Sequence, residues 1–165
     1  MVVYGSGSGC TEGIARKIGE TLEAAGLEAA VARVGDTPDP AGYDAVIVGS
    51  GVRAGRWHRG VREWVNAHSE ALKARPTAFF TACLTMAQGP EKSEEVLAYT
   101  APVAAESGVN PVDTGLFAGW NEPDRFKLPE RLILKALKAP KGDFRDMKAV
   151  AAWTRAVARK LGVAA

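Results

Sequence analysis

The stretch Gly5-Ser6-Gly7-Ser8-Gly9-Cys10-Thr11 sets three hydroxyls, on Ser6, Ser8 and Thr11, among otherwise small residues. Hydroxyls and open backbone N–H groups are what phosphate oxygens accept from, and small residues let the backbone come close to a ligand. The stretch leads from Met1-Val2-Val3-Tyr4 into Ile14, Ile18, Leu22 and Ala25, which recur at helical spacing. It therefore reads as the turn from a short strand into a helix. A helix N-terminus offers free N–H groups and a partial positive charge, which suits an anion. No lysine or arginine lies in the loop itself. Spacing excludes other nucleotide loops. A G-x-G-x-x-G pattern begun at Gly5 ends on Cys10, and one begun at Gly7 ends on Glu12. No Gly-Lys-Ser/Thr follows, as a P-loop requires, and no phosphate-accepting aspartate ends the first strand. What remains is a hydroxyl-rich phosphate loop of the form S-x-S-G-x-T. The bland alternative is a glycine-rich turn that binds nothing.

The elements that position this loop alternate between strand and helix. Gly26 stops the first helix. Leu27 to Val34 reads as a strand, with Glu28 and Arg33 suggesting a sheet edge, and Tyr43 to Gly49 as a buried parallel strand. Val61, Trp64, Val65, His68 and Leu72 mark a helix, with His68 at the edge of the core. Pro76 precedes a strand at Thr77 to Cys83, a helix follows near Ser93 to Ala101 with Pro102 as a kink or an end, and Val112 to Ala118 is the last strand. Asp143 is expected to cap a final helix whose Met147, Val150, Thr154, Val157 and Leu161 face the core. Such alternation implies an α/β domain with a five-stranded parallel sheet, doubly wound in the order 2-1-3-4-5, helices on both faces and a long segment before the last helix. The strand order follows from the class, and ligands of that class bind at the carboxyl ends of the strands.

Composition narrows the reading further. A chain of 165 residues, 47% hydrophobic and 24% charged, fits one domain over residues 1–165. A formal net charge of +2 is too weak for a nucleic-acid partner, and no basic stripe with interleaved aromatics appears. The same charge counts against a strongly acidic carrier that docks on basic partners. No apolar run approaches the roughly 20 residues that span a bilayer, and no basic n-region opens the chain, so a cytoplasmic location is expected. Cys10 and Cys83 make no disulfide framework. Two strand spacings would hold them about 10 Å apart, so they read as small residues fitted into tight loops. No metal site is expected.

The first loop resembles that of the flavodoxin family, whose FMN phosphate loop reads T/S-x-T-G-x-T, with Ser6, Ser8, Gly9 and Thr11 in those places. The resemblance implies a flavodoxin-like fold and FMN, with its phosphate held by Ser6, Gly7, Ser8, Gly9, Cys10 and Thr11. It implies that the loop after the third strand, from Gly49 to His58, borders the flavin ring through Ser50, Gly51, Val52 and Arg53. Trp57 is either a stacking partner or a partly buried loop anchor. Arg53 or Arg56 either stabilises an anionic reduced flavin or is a solvated side chain. His58 is a candidate proton donor, against a plain structural role at a helix start, so Arg53 and His58 are the catalytic candidates. Cys83, Leu84 and Thr85 would form the third wall.

The segment from Gly119 to Lys141 is long for a connection. Leu128, Leu132, Ile133 and Leu137 could make an apolar face, beside the basic Arg125, Lys127, Arg131, Lys135, Lys138 and Lys141 and against the acidic Glu122, Asp124 and Glu130. A basic amphipathic helix suits an anionic membrane surface or an acidic substrate, and the alternative is an ordinary helix with solvated lysines. Here the chain resembles the menaquinone-dependent protoporphyrinogen dehydrogenases over nearly its whole length. Gly49, Arg53, Gly55 and His58 match a G-x-x-x-R-x-G-x-x-H pattern, and Asp124-Arg125-Phe126 matches the long segment of that family. Gly142-Asp143-Phe144-Arg145-Asp146 is also similar to relatives of the group. The segment here keeps only Trp120 and Phe126 of the aromatics that the family can carry there, and the first loop is closer to an ordinary flavodoxin. The resemblance implies an FMN-dependent oxidoreductase of heme biosynthesis that oxidises an acidic, porphyrin-like small molecule and passes electrons to a membrane quinone. It also implies peripheral contact with the inner face of the membrane through residues 124–141. The alternative is a flavodoxin-type electron carrier without its own substrate, or a flavin fold that has lost its cofactor. A homo-oligomer is compatible with either.

Overall fold

A computed structural model describes residues 1–122 and 141–163, with residues 128, 129, 132 and 135 of the segment between them. Five parallel strands form the centre: β1 (Val2–Gly5), β2 (Val31–Arg33), β3 (Val46–Arg53), β5 (Thr77–Cys83) and β6 (Thr114–Ala118). Their order is β2-β1-β3-β5-β6, with the two-residue β4 (Arg56–Trp57) folded back on β3. Counting the parallel strands alone, this is the expected 2-1-3-4-5.

Both faces of the sheet are covered because its strands are apolar at successive positions. Phe79 and Phe80 are both fully buried yet point to opposite faces. On one face Phe80, Val2, Tyr4 and Ile47 meet α1 (Cys10–Glu23) through Ile14 and Ile18, and α5 (Met147–Lys160) through Val150 and Val157. On the other, Phe79, Val3 and Val48 meet α2 (Arg59–Ala67), α3 (Ser69–Lys73) and α4 (Ser93–Ser107) through Val61, Val65, Leu72 and Val103. Each such side chain contributes about 1.5–3 kcal/mol by leaving water.

Several elements differ from the sequence reading. The edge strand β2 is confined to Val31–Arg33, because Leu27 and Ala29 turn into the core instead of continuing the ladder. The helix of residues 61–72 is two helices, α2 and α3, meeting at His68, whose ring stacks on Trp64 at 4.6 Å. Helix α4 runs through Pro102 to Ser107. Val96, Thr100, Val103 and Ser107 face inward while Ala98 and Pro102 are exposed, so the carbonyl that Pro102 leaves without a donor faces water. Asp146, not Asp143, caps α5, accepting from the N–H groups of Lys148 and Ala149 at 2.9 and 3.0 Å.

The register aligns the carboxyl ends of the strands. Gly5 is level with Ser50, Gly51 with Ala82, and Cys83 with Ala118. The turns that follow β1, β3, β5 and β6 therefore open side by side on one edge. Just beyond β6, β7 (Trp120–Asn121) pairs antiparallel with β8 (Gly142–Asp143). The long segment leaves and returns at this pair. Its residues 123–127, 130, 131, 133, 134 and 136–140 lie outside the described residues, and so do most of the apolar and basic positions read from its sequence. Leu128 and Leu132 are exposed.

Candidate functional site

The turn after β1 closes on itself through Ser6, whose Oγ accepts from the Gly9 N–H at 2.9 Å while the side chain is buried. Gly9 has φ of 89°, a left-handed conformation that glycine adopts without a Cβ penalty. No side chain caps α1. The N–H groups of its first turn, at Cys10, Thr11 and Glu12, have no intrahelical acceptor by helix geometry. Gly7 is exposed and Ser8 and Gly9 are half-buried, so the loop presents backbone and one hydroxyl outward. This donor set fits a phosphate group.

The loop carries no cation, but three arginines from elsewhere reach it. From β2, Arg33 donates to the Ser6 carbonyl at 3.4 Å. From β3, Arg53 Nη2 stands 3.3 Å from where a Cβ on Gly7 would lie. From the link before α5, Arg145 lies over the Trp120 ring, 4.1 Å from its centroid. Trp120 in turn donates its indole N–H to Ser8 Oγ at 3.2 Å and lies against Gly9. Arg33 and Arg145 lie far from the loop in sequence, and neither the sheet-edge pattern at Arg33 nor the 142–146 stretch that holds Arg145 tied them to it.

The second loop is built as a hairpin. Val52 pairs with Trp57 and Arg53 with Arg56 across a turn in which Ala54 and Gly55 have φ of 49° and 71°, the conformation of a tight two-residue hairpin turn. Ser50 is fully buried and its hydroxyl is used within the loop, accepting from His58 N–H at 2.8 Å and donating to the Gly51 carbonyl at 2.8 Å. A Cβ on Gly51 would lie 2.9 Å from Thr11 Oγ1, so the first and second loops are in contact.

Trp57 is not at the mouth of the site. It is 3% exposed, packs edge-on against Phe79 at 5.2 Å, and donates its indole N–H to Thr81 Oγ1 at 2.9 Å. The expectation of a stacking aromatic there is corrected. The strand alternation that sends Arg53 outward sends Trp57 into the core, where it anchors the loop. Arg56 is exposed at the hairpin.

His58 begins α2 and its Nδ1 accepts from the Gly60 N–H at 3.2 Å, a bond available only to the neutral ring. Partial burial, then the charges of Arg53 and Arg33, hold its pKa below the ordinary histidine value. It stands beside Gly5 in a groove of about 630 Å³ between the turn after β2 and α2.

The third loop is a 3-10 turn over Leu84–Gln88, with Leu84 and Thr85 half-buried. Tyr99 of α4, absent from the sequence reading, joins the second and third loops. Its ring lies 3.5 Å from a Cβ built on Gly55, its hydroxyl donates to Glu95 at 2.8 Å, and it also interacts with Thr85. Cys10 and Cys83 are buried free thiols. A Cβ on Gly119 would lie 3.4 Å from Cys10 Sγ and 3.7 Å from Cys83 Cα, so Gly119 fills the space between them. Burial pushes the Cys10 thiol up to about 11 and raises that of Cys83 as well. Both are therefore neutral packing groups at ordinary pH. Among the described residues, no group of three or more His, Cys, Asp or Glu could hold a metal ion, and no helix is long and apolar enough to cross a membrane.

Known proteins resemble this chain in sequence and in fold. Protoporphyrinogen IX dehydrogenase [quinone] of Escherichia coli (strain K12) is 24% identical over 156 residues, covering 93% of this chain and 86% of the relative. A protein of the same name from Leishmania major is 26% identical over 104 residues, 63% of this chain and 45% of the relative. Among solved structures, oxidised Flavodoxin 2 from Bacillus cereus superposes with a TM-score of 0.57 at 19% identity, covering 96% of this chain and 97% of that one. Two-electron reduced Megasphaera elsdenii flavodoxin superposes with 0.54 at 20% identity, covering 92% and 99%. The Flavodoxin domain family matches residues 1–148. With that match over most of its length, the chain belongs to the Flavodoxin domain family and binds FMN.

Proposed function

We propose that the protein is an FMN-dependent oxidoreductase of the protoporphyrinogen dehydrogenase type, carried on one domain, with a quinone as electron acceptor. The observation that supports it most is the resemblance to protoporphyrinogen IX dehydrogenase over 93% of the chain. FMN, when bound, supplies two-electron redox chemistry. The residues proposed to hold its phosphate are Ser6, Gly7, Ser8, Gly9, Cys10 and Thr11, through α1 N–H groups and the Ser8 hydroxyl, with the Thr11 side chain buried against the second loop. Ser50, Gly51, Val52 and Arg53 form one wall for the ring and Cys83, Leu84 and Thr85 the other. Buried Ser50 and Cys83 contribute backbone and shape, not free side chains. Arg53 stands where its charge favours anionic forms of the cofactor.

The acidic porphyrin-like substrate fits a protein whose phosphate loop is ringed by Arg33, Arg53 and Arg145 and whose long segment carries further lysines and arginines. That segment springs from Trp120–Asn121, directly over the first loop, which would put substrate or a membrane surface beside the cofactor. The protein would then act in the cytoplasm, at the inner face of the membrane. Because Asn121 and Gly142 are paired, residues 124–138 can be excised and the ends rejoined. Such a deletion is expected to retain FMN and lose turnover with membrane-embedded quinone.

The second reading is a flavodoxin-type electron carrier, favoured by the superposition on flavodoxins. Anaerobic turnover separates the two. An enzyme oxidises protoporphyrinogen and reduces a menaquinone analogue many times per flavin without a separate reductase. A flavin that is reduced only by an added reductase would overturn the enzyme reading and leave the carrier.

A further inference from the structure

Trp120 is held by five residues. Its ring covers Gly9, where a Cβ would lie 3.4 Å from the indole. Its indole N–H donates to Ser8 Oγ at 3.2 Å. Its main-chain N–H faces the Cys10 sulfur, and its backbone pairs with Asp143 across β7 and β8. The Arg145 guanidinium lies 4.1 Å from the ring centroid on a side chain only 14% exposed. Asp143 fixes that guanidinium with bonds of 2.8 and 2.6 Å. Arg145 also abuts Gly13, one turn into α1.

We propose that Trp120 is a positioning residue of the phosphate loop, setting the Ser8 hydroxyl as a donor to the phosphate of the cofactor. The proposal rests on the reading that this loop holds the FMN phosphate. The chemistry of the two groups supports it. An indole N–H can only donate, whereas a hydroxyl has one hydrogen to give and two lone pairs to receive. Ser8 must accept from Trp120, so its own hydrogen is turned away from the indole. Ser8 is half-buried beside the exposed Gly7, and its outward direction is the mouth of the loop. A hydroxyl already committed as an acceptor has little orientational freedom left to lose when it donates to an anion. The Arg145 cation on the ring strengthens the arrangement, because it is attracted to the indole face and draws the ring against the loop. Arg145 thus serves the phosphate through Trp120 instead of through a direct ion pair. The base of the long segment, β7 with β8, is thereby part of the cofactor site.

The test uses the difference between FMN and riboflavin, which share the ring and differ by the phosphate. Apo-protein is titrated with each flavin, following quenching of flavin fluorescence, for the wild type, Trp120→Phe, Ser8→Ala and the double variant. Phenylalanine keeps an aromatic ring for Arg145 but removes the N–H and part of the ring, so the Ser8→Ala background is what isolates the hydrogen bond from the lost packing. Trp120→Phe is expected to weaken FMN about tenfold, in keeping with a hydrogen bond to a charged group. Riboflavin affinity should not change. In the Ser8→Ala background the same substitution should cost nothing further, because its effect passes through that hydroxyl. An unchanged FMN-to-riboflavin ratio in Trp120→Phe overturns the proposal, as do losses that add in the double variant. Equal affinity of the wild type for the two flavins would instead overturn the phosphate-loop reading itself, and the proposal with it.

Discussion

Gly51 in the second loop stands so close to Thr11 in the first that a Cβ on it would lie 2.9 Å from the Thr11 hydroxyl oxygen. The two loops assigned to opposite parts of the cofactor are thus a single packed unit. Gly51→Ala is expected to displace Thr11 and weaken FMN about tenfold, since overpacking of this kind costs about 1–3 kcal/mol. Gly42→Ala, whose Cβ would meet no atom beyond its chain neighbours within 4 Å, should leave affinity unchanged. Titration of both apo-variants checks this, and equal affinities would remove the coupling between the loops.

Trp57→Phe should reduce stability without affecting the cofactor. The buried indole donates to Thr81, whose hydroxyl shares a 2.8 Å bond with Thr100, so the substitution opens a small gap and leaves this buried pair without its donor. The expected loss is about 1–3 kcal/mol in urea unfolding. Unchanged stability together with an altered flavin spectrum would restore Trp57 to the flavin ring.

His58 makes stability depend on pH. Its folded pKa lies below the unfolded value of about 6.5, because partial burial and the charges of Arg53 and Arg33 disfavour the charged ring. The unfolded chain therefore binds the proton more readily. The stabilisation is fully present above that unfolded value and falls away as pH drops through it toward the folded pKa. The residue is largely exposed, so the slope should be shallow. His58→Asn retains an acceptor for α2 and should flatten the unfolding midpoint between pH 7.5 and 5. An unaltered slope in this variant would assign the dependence to other groups.

How far the sequence foretold these features follows the range of the interactions. Thr77 to Cys83 was legible as a strand because it is a continuous apolar run bounded by Pro76, and it is buried throughout. The first loop was legible because its hydroxyls and glycines are consecutive. The ends of β2 and α4 were not, since the inward turn of Leu27 and the exposure of Pro102 are settled by packing against distant elements. Trp57 misled because an aromatic in a loop has the same local signature whether it faces a ligand or the core. Arg33, Tyr99, Trp120 and Arg145 join the loops only through the fold. Ser8 and Trp120 lie 112 positions apart, and no local spacing could relate them.

The central claim is that FMN is held with its phosphate on the loop from Ser6 to Thr11. The most direct measurement is titration of the apo wild type and of Ser8→Ala/Thr11→Ala with FMN, followed by visible absorption and fluorescence. The wild type should take up FMN saturably. The double variant should bind at least about tenfold more weakly, since the Ser8 hydrogen bond to a charged group is removed and the Thr11 contact with the second loop is lost. Equal FMN affinity in the two proteins would contradict the account, and so would a wild type that takes up no flavin.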